Sequence, residues 1–272
     1  MITLTDIMIY PIKSTAGIAL NKAHIGDTGL PLDRHFVITD LNGKFITGRT
    51  KAQLVHVKTK MQGQALSVRA PGMPDLELNP LNFANEYQQV QVWQDKIDGQ
   101  TCNKEADDWF SQYLNTPCRL FYYGHKSARQ VVNSEHQLSF ADGFPLLGIS
   151  KASLDDLNQK LAEPVTMAQF RPNLIFSGTL PFAEDGWLQI AIGECQFLVA
   201  KPCSRCIFTT VDALTGERNP LREPLTTLMK YRQAEDGQIY FGQNMIPLTK
   251  GELNVGDEVR ILSNQKPLKL NG

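Results

Sequence analysis

The chain has 272 residues, 42% of them hydrophobic and 20% charged, which is the make-up of a globular protein with room for two modest domains or one large one. Lys plus Arg total 27 against 28 Asp plus Glu, so bulk charge courts neither a polyanion nor an anionic membrane, and no nucleic-acid partner is expected. No apolar run approaches the ~18 residues of a membrane span, the N-terminus lacks a basic and then apolar leader, and five irregularly spaced cysteines make no disulfide scaffold, so a reducing, cytoplasmic home without membrane contact is the expectation.

Short strands with frequent punctuation fill the first ninety-odd residues. Leu4 to Ile12 is an apolar stretch. His35 to Asp40 and Lys44 to Thr47 flank Asn42-Gly43 as the limbs of a hairpin. Val55 to Met61, Ala65 to Ala70, Leu76 to Asn79 and Val90 to Gln94 continue the series. Strands this short, with no helix between them, predict a barrel or sandwich.

The pattern changes near residue 103. Asn103 is placed to N-cap a helix in which Ala106, Trp109, Phe110, Tyr113 and Leu114 recur at helical spacing. Cys118 to Tyr123 reads as a strand. Ser150 or Ser153 caps a second helix with a stripe of Leu154, Leu157 and Leu161. Strands follow at Asn173 to Ser177, Leu188 to Ile192, Gln196 to Ala200 and Ile207 to Val211. Pro224 opens a short helix through Tyr231, and Glu258 to Leu262 is the last strand. The expectation is a mainly β, β-rich α+β protein: a unit over 1–95, a second over 103–263, and a polar, frayed tail over 264–272.

The densest chemical cluster is Lys201-Pro202-Cys203-Ser204-Arg205-Cys206. A zinc knuckle needs a second pair of thiolates or histidines at matching spacing, and Cys102, Cys118 and Cys195 form none. A redox pair belongs at a helix N-terminus, whereas Ile207 to Val211 reads as a strand. An activated thiolate beside Arg205 and Lys201 and a pair of small buried hydrophobes stand as equal readings of the spacing. Other polar groups sit where strands break: Lys13-Ser14, Asp33-Arg34, Asp142-Gly143, and Arg171 with Asn173. Arg, Lys, Ser and Asn donors suit a phosphate and a flat nitrogen-rich ring, although each cluster alone also suits a surface pair or turn cap. Rossmann, Walker A, nucleophile-elbow and zincin motifs are absent.

Taken in order, these islands resemble the MOSC superfamily, over nearly the whole chain. Tyr10-Pro11-Ile12-Lys13-Ser14, Leu32-Asp33-Arg34 and Phe45-Ile46-Thr47-Gly48-Arg49 resemble the N-terminal β-barrel domain that precedes MOSC. Phe140-Ala141-Asp142-Gly143-Phe144-Pro145, Phe170-Arg171-Pro172-Asn173, Cys203-Ser204-Arg205-Cys206 and Phe241-Gly242-Gln243-Asn244 resemble MOSC itself. Within the superfamily the pattern is similar to that of the YcbX-type proteins and the mitochondrial amidoxime-reducing components. The resemblance implies an N-terminal β-barrel domain followed by a MOSC β-barrel domain, and a molybdenum cofactor (Mo-molybdopterin). It makes Cys206 the metal ligand and, with Asp142 as a proton-passing carboxyl, the catalytic pair. Lys13, Ser14, Arg34, Arg171, Asn173, Ser204, Arg205 and Asn244 become cofactor contacts. Asn244 stands where the mitochondrial relatives carry a Tyr, and Phe144 where they carry a Ser.

The implied activity is reduction of small N-hydroxylated substrates: hydroxylaminopurines, amidoximes or hydroxylamines. The Cys-x4-Cys-x2-Cys run of a plant-type [2Fe–2S] domain is missing from these residues. Electrons are therefore expected from a separate donor, a flavoprotein reductase or a ferredoxin-like protein. The alternative is a sulfur carrier or a cofactor-delivery or binding protein that uses the Cys206 thiolate. Some MOSC domains are fused to pyridoxal-phosphate sulfurases, but no such domain fits this length.

Overall fold

The computed structural model describes residues 1–63 and 65–270. Its strands begin with β1 (Ile2–Ile9), β2 (Ile18–Leu20), β3 (Lys22–Ile25), β4 (Phe36–Thr39), β5 (Lys58–Gln62), β6 (Ala65–Arg69), β7 (Leu76–Leu78), β8 (Tyr87–Val92) and β9 (Asp95–Thr101). The helix α1 (Lys104–Leu114) and β10 (Arg119–Tyr122) follow. Then come β11 (Leu146–Ser150), α2 (Lys151–Asn158), α3 (Met167–Phe170), β12 (Leu174–Ser177), β13 (Trp187–Ile192) and β14 (Cys195–Ser204). The last elements are α4 (Leu225–Arg232), β15 (Tyr240–Pro247), β16 (Gly251–Asn254) and β17 (Glu258–Asn264). The protein is mainly β with a few helices, as its sequence predicts.

Seven strands close into a barrel in the order β12-β11-β15-β14-β13-β17-β1, with β1 pairing back onto β12 and β2 added beside β1. All of these pairings are antiparallel except β11 with β12. Closure pairs each of the seven staves on both sides, and the short β2 is the edge strand of this sheet. Leu4, Ile7, Ile9, Leu146, Leu174, Phe176, Ile190, Ile192, Phe197 and Val259 fill its core and are almost wholly shielded from solvent. Full burial of each such side chain stabilises the fold by roughly 1.5–3 kcal/mol before conformational entropy is set against it.

The second unit sets the sheet β4-β10-β9-β8 beside the sheet β5-β6-β7, with α1 across their shared core. Helix α1 starts as predicted: the Asn103 side chain accepts from the Ala106 N–H, and Trp109, Phe110 and Leu114 face Phe36, Leu66 and Leu120. Ser150, rather than Ser153, caps α2.

Sheet boundaries differ from the predicted units. The first strand of the chain is a barrel stave between β12 and β17, while β10 belongs to the sheet of β4 and β9, so the chain leaves the barrel after β1 and returns at β11. Three local predictions also change. Ile207 to Thr210 is a 3-10 turn rather than a strand, because the Thr209 and Thr210 hydroxyls bond back to the carbonyls of Cys206 and Ile207. Ala52 to His56 forms another 3-10 turn, which shortens the predicted 55–61 strand to β5. Lys44 to Thr47 is a shorter hairpin limb than predicted: it returns antiparallel onto β4 through Asp40 N–H to Lys44 O, the Thr39–Phe45 bridge and Ile46 N–H to Ile38 O, while the Phe45 N–H turns to Gln91 O and its ring meets Trp93 edge-on. The tail, predicted to fray from residue 264, is tied down. Asn264 completes β17, Gln265 bonds the backbone of Gly186 and Trp187, and Leu270 bridges to Ala234. The last two residues of that predicted tail lie outside the described residues.

Candidate functional site

Between the barrel mouth and the second unit lies a cleft of about 500 Å³. Its lining includes all ten residues singled out from the sequence: Lys13, Ser14, Arg34, Asp142, Arg171, Asn173, Ser204, Arg205, Cys206 and Asn244. They arrive on separate elements: the turn after β1, the loop before β4, the loop before β11, the end of α3, the end of β14, and β15. The volume suits a small-molecule cofactor.

At the deep end two guanidiniums sandwich one phenol. Arg34 lies 4.3 Å and Arg171 4.1 Å from the Tyr10 ring centroid. Tyr10 is buried, and its hydroxyl donates to Pro172 O. Asp33 accepts from the Tyr10 N–H and from Arg34, which also donates to Asn173 Oδ1 and Arg171 O. Arg171 donates to Thr15 O, and burial, together with the like charge of Arg34, pulls its pKa down to about 10. Ser14 (φ 74), Arg34 (φ 50) and Arg171 (φ 58) all hold left-handed backbone. For side chains other than glycine that costs on the order of 1–3 kcal/mol each, so the surrounding contacts must over-determine them.

The terminal Nη2 atoms of Arg171 and Arg205 are buried with no hydrogen-bond partner. Arg205 is otherwise fixed, donating to Phe241 O and Phe170 O. Two half-buried guanidiniums, each with a buried Nη2 that makes no bond within the protein, suit a multivalent anion. Among the described residues the Ser14 hydroxyl likewise makes no bond within the protein.

At the mouth, Arg49 Nε donates to Cys206 Sγ over 3.2 Å, and its guanidinium lies 4.3 Å from the Trp93 ring centroid. The two cysteines of the motif differ. Cys203 also lines the cleft but packs against the apolar cluster of Ile149, Phe170, Leu228 and Phe241, and burial pushes its thiol pKa up. Cys206 is half-buried in the cleft, and the Arg49 Nε–H points at its sulfur. Among the described residues no cluster of His, Cys, Asp and Glu is placed to hold a metal by itself, so the zinc reading has no geometric support.

Several expected contacts turn inward. Asn173 is 2% exposed and spends its side chain on Arg34, the Leu147 N–H and Met8 O, so it braces Arg34. Asn244 donates to Pro202 O, across the β14–β15 pair. Lys13, 5% exposed, donates to Phe140 O and Asp142 Oδ1, and burial lowers its pKa despite that carboxylate. Asp142 Oδ1 also accepts from Trp93 Nε1. The cleft walls desolvate the Asp142 carboxyl, but Lys13, Arg49 and the indole N–H outweigh that and hold it well below the usual carboxylate range. It is thus a fixed charge rather than a neutral acid. Both bonds go to Oδ1, which leaves Oδ2 without a protein partner among the described residues. Arg129 anchors this loop through the carbonyls of Ser139 and Ala141.

Three contributors escape the sequence reading. Tyr10 and Arg49 lie inside motifs that carried the resemblance, but neither residue type announces a stacking or sulfur-directed role. Trp93 reads as a strand residue, and only its 40% exposure on the cleft wall marks it.

The site sits in a chain whose residues 1–117 match the model for the MOSC N-terminal beta barrel domain and whose residues 135–260 match the MOSC domain. Mitochondrial amidoxime-reducing component 1 of Mus musculus is 34% identical over 281 residues, spanning 96% of this chain and 82% of its own. The Homo sapiens component 1 is 32% identical, spanning 96% and 83%. A solved structure, the YUAD protein from Bacillus subtilis, overlaps 95% of this chain and 94% of its own at 13% identity, with a TM-score of 0.46.

Proposed function

The chain belongs to the MOSC family, among members that pair the MOSC domain with its N-terminal β-barrel companion, and from that premise we propose a molybdenum-cofactor oxidoreductase that reduces N-hydroxylated compounds. Hydroxylamines, amidoximes and hydroxylaminopurines are the substrate class, and electrons come from a separate flavoprotein or ferredoxin-like donor. The overall change is R–NH–OH plus two electrons and two protons to R–NH2 plus water. The observation that carries this reading is the pairing, in one cleft, of a soft sulfur donor at Cys206 with unspent buried cationic donors at Arg171 and Arg205.

Those donor types fit the two ends of a pterin cofactor. The Arg171 and Arg205 Nη2 atoms and the Ser14 hydroxyl take its phosphate. Cys206 supplies the soft thiolate that molybdenum favours beside a dithiolene. When bound, the cofactor supplies the two-electron chemistry that removes oxygen from nitrogen.

The chain's own residues do the rest. Tyr10 and Asp33 hold the deep guanidiniums in place before any ligand arrives, so little ordering cost falls on binding. Lys13 and Trp93 both donate to Asp142 Oδ1, which leaves Oδ2 available to accept a hydrogen from a substrate N–H or N–OH group. Protons come from water at the open mouth, since an ionised carboxylate with so low a pKa has none to give near neutrality.

The test is turnover. Protein from a cofactor-competent host, given a chemical or flavoprotein donor, should reduce a hydroxylamine or amidoxime many times per bound molybdenum. A sulfur carrier would transfer at most one sulfur per thiol and leave N–OH bonds untouched.

A further inference from the structure

The contacts at the cleft mouth form a chain that ends on the sulfur. Lys13 Nζ and Trp93 Nε1 both donate to Asp142 Oδ1, at 2.8 and 2.9 Å. The face of Trp93 carries the Arg49 guanidinium, and Arg49 Nε points at Cys206 Sγ. The indole is braced edge-on by Phe45 at 5.1 Å between centroids, and Lys13 lies 5.6 Å from the Phe45 ring centroid. The turn bearing Arg49 is held from two sides. Arg218 donates to its carbonyl, and Gly48 lies so close to the Phe208 ring that a Cβ there would collide with it.

An arginine has many rotamers, and ordering one costs side-chain entropy. The Arg49 head group makes its contacts with the indole face and the sulfur, in the field of the nearby Asp142 carboxylate. The attraction of a cation to a Trp face is comparable to that entropy. Trp93, itself 40% exposed, keeps its ring fixed through the Asp142 bond.

We propose that Trp93 and Arg49 are positioning residues for Cys206. Trp93, pinned by Asp142, presents Arg49, and Arg49 directs one N–H at the thiolate sulfur. This rests on the reading of Cys206 as the molybdenum ligand. An N–H on a ligating sulfur withdraws electron density from it and makes the metal easier to reduce. The pair therefore adjusts the metal's potential without touching substrate.

The experiment loads wild type, Arg49→Gln, Trp93→Ala and the double variant with cofactor. It records molybdenum and pterin content, then the Mo(VI)/Mo(V) potential by EPR-monitored titration. Arg49→Gln should shift the couple to more negative potential. Trp93→Ala should shift it the same way by a smaller amount, and the double variant should match Arg49→Gln alone, because Trp93 acts only through Arg49. Arg49→Lys, which keeps the charge without the planar fork, should recover part of the shift. An unshifted Trp93→Ala couple, or additive shifts, overturns the proposal. A crystal structure of metal-free Trp93→Ala tests the geometry separately: Arg49 should leave Cys206, and an unmoved Arg49 overturns the role given to Trp93. Wild-type protein that takes up no molybdenum would instead fail the functional reading, and the metal-free structure still decides the geometric claim.

Discussion

The two ends of the cleft are built to different rules. At the deep end, Tyr10, Asp33, Arg34, Arg171 and Asn173 lock one another, and the buried Nη2 of Arg171 is left without a partner among the described residues. At the mouth, Cys206 is half-buried, the Asp142 side chain is 67% exposed and Trp93 40% exposed, and adjustment is possible. The deep end is preorganised, so that anion binding meets donors already in place. The mouth holds its sulfur through one arginine on one indole. Recognition is assigned to rigidity and reactivity to a tunable contact.

The difference is tested most severely at the motif's two cysteines. Cys206→Ser should remove bound molybdenum and activity, a loss beyond the ~10–100-fold that outer-shell partners cost. Cys203→Ser should keep both and lose about 1 kcal/mol of stability, read by denaturant melts, because it only puts a hydroxyl among apolar side chains. Equal loss in both variants would restore a redox pair or a zinc site.

At the deep end, Arg171→Ala should weaken cofactor retention by about 10–100-fold, the worth of a charge-assisted hydrogen bond, as read by pterin release. Tyr10→Ala should destabilise the fold by about 3 kcal/mol and weaken cofactor retention through both arginines, whereas Tyr10→Phe keeps the stack and costs about 1 kcal/mol. A stable Tyr10→Ala protein with full retention would show that the stack is incidental.

The smallest effect is on the pH profile. The folded Asp142 pKa is depressed, so the group binds fewer protons folded than unfolded on the acid side. Its stabilising contribution is complete above the ordinary carboxylate range and fades only as pH falls below it. Its exposure keeps that contribution small. Between pH 5 and 8 it does not titrate, so Asp142→Asn should leave the shape of the activity profile unchanged while lowering the rate modestly. Loss of an acid limb in that range would make Asp142 the proton donor after all.

How much of this was legible follows the same division. The deep-end residues were found because Arg, Lys, Ser and Asn cluster at strand breaks within motifs of a recognised superfamily. What could not be read was their mutual orientation: Asn173 braces an arginine, and Asp142 is a charge held by Lys13, because these depend on contacts across 139 and 129 residues of chain. Helix α1 announced itself through a cap and a 3.6-residue stripe, while β9, with Asp, Lys and Gly in seven residues, carries no strand signal and forms because β8 lies beside it. Ile207 to Thr210 failed in the opposite sense: a β-branched run was overruled by two threonine hydroxyls bonding their own backbone. That β1 closes the barrel of distant strands is a long-range pairing that local pattern does not encode.

The measurement that bears most directly on the central claim is X-ray absorption at the molybdenum edge of cofactor-loaded wild type, Cys203→Ser and Cys206→Ser. With Cys206 as ligand, wild type and Cys203→Ser share one thiolate sulfur beyond the dithiolene pair, and any metal retained by Cys206→Ser lacks it. The same sulfur count in all three proteins would contradict the account.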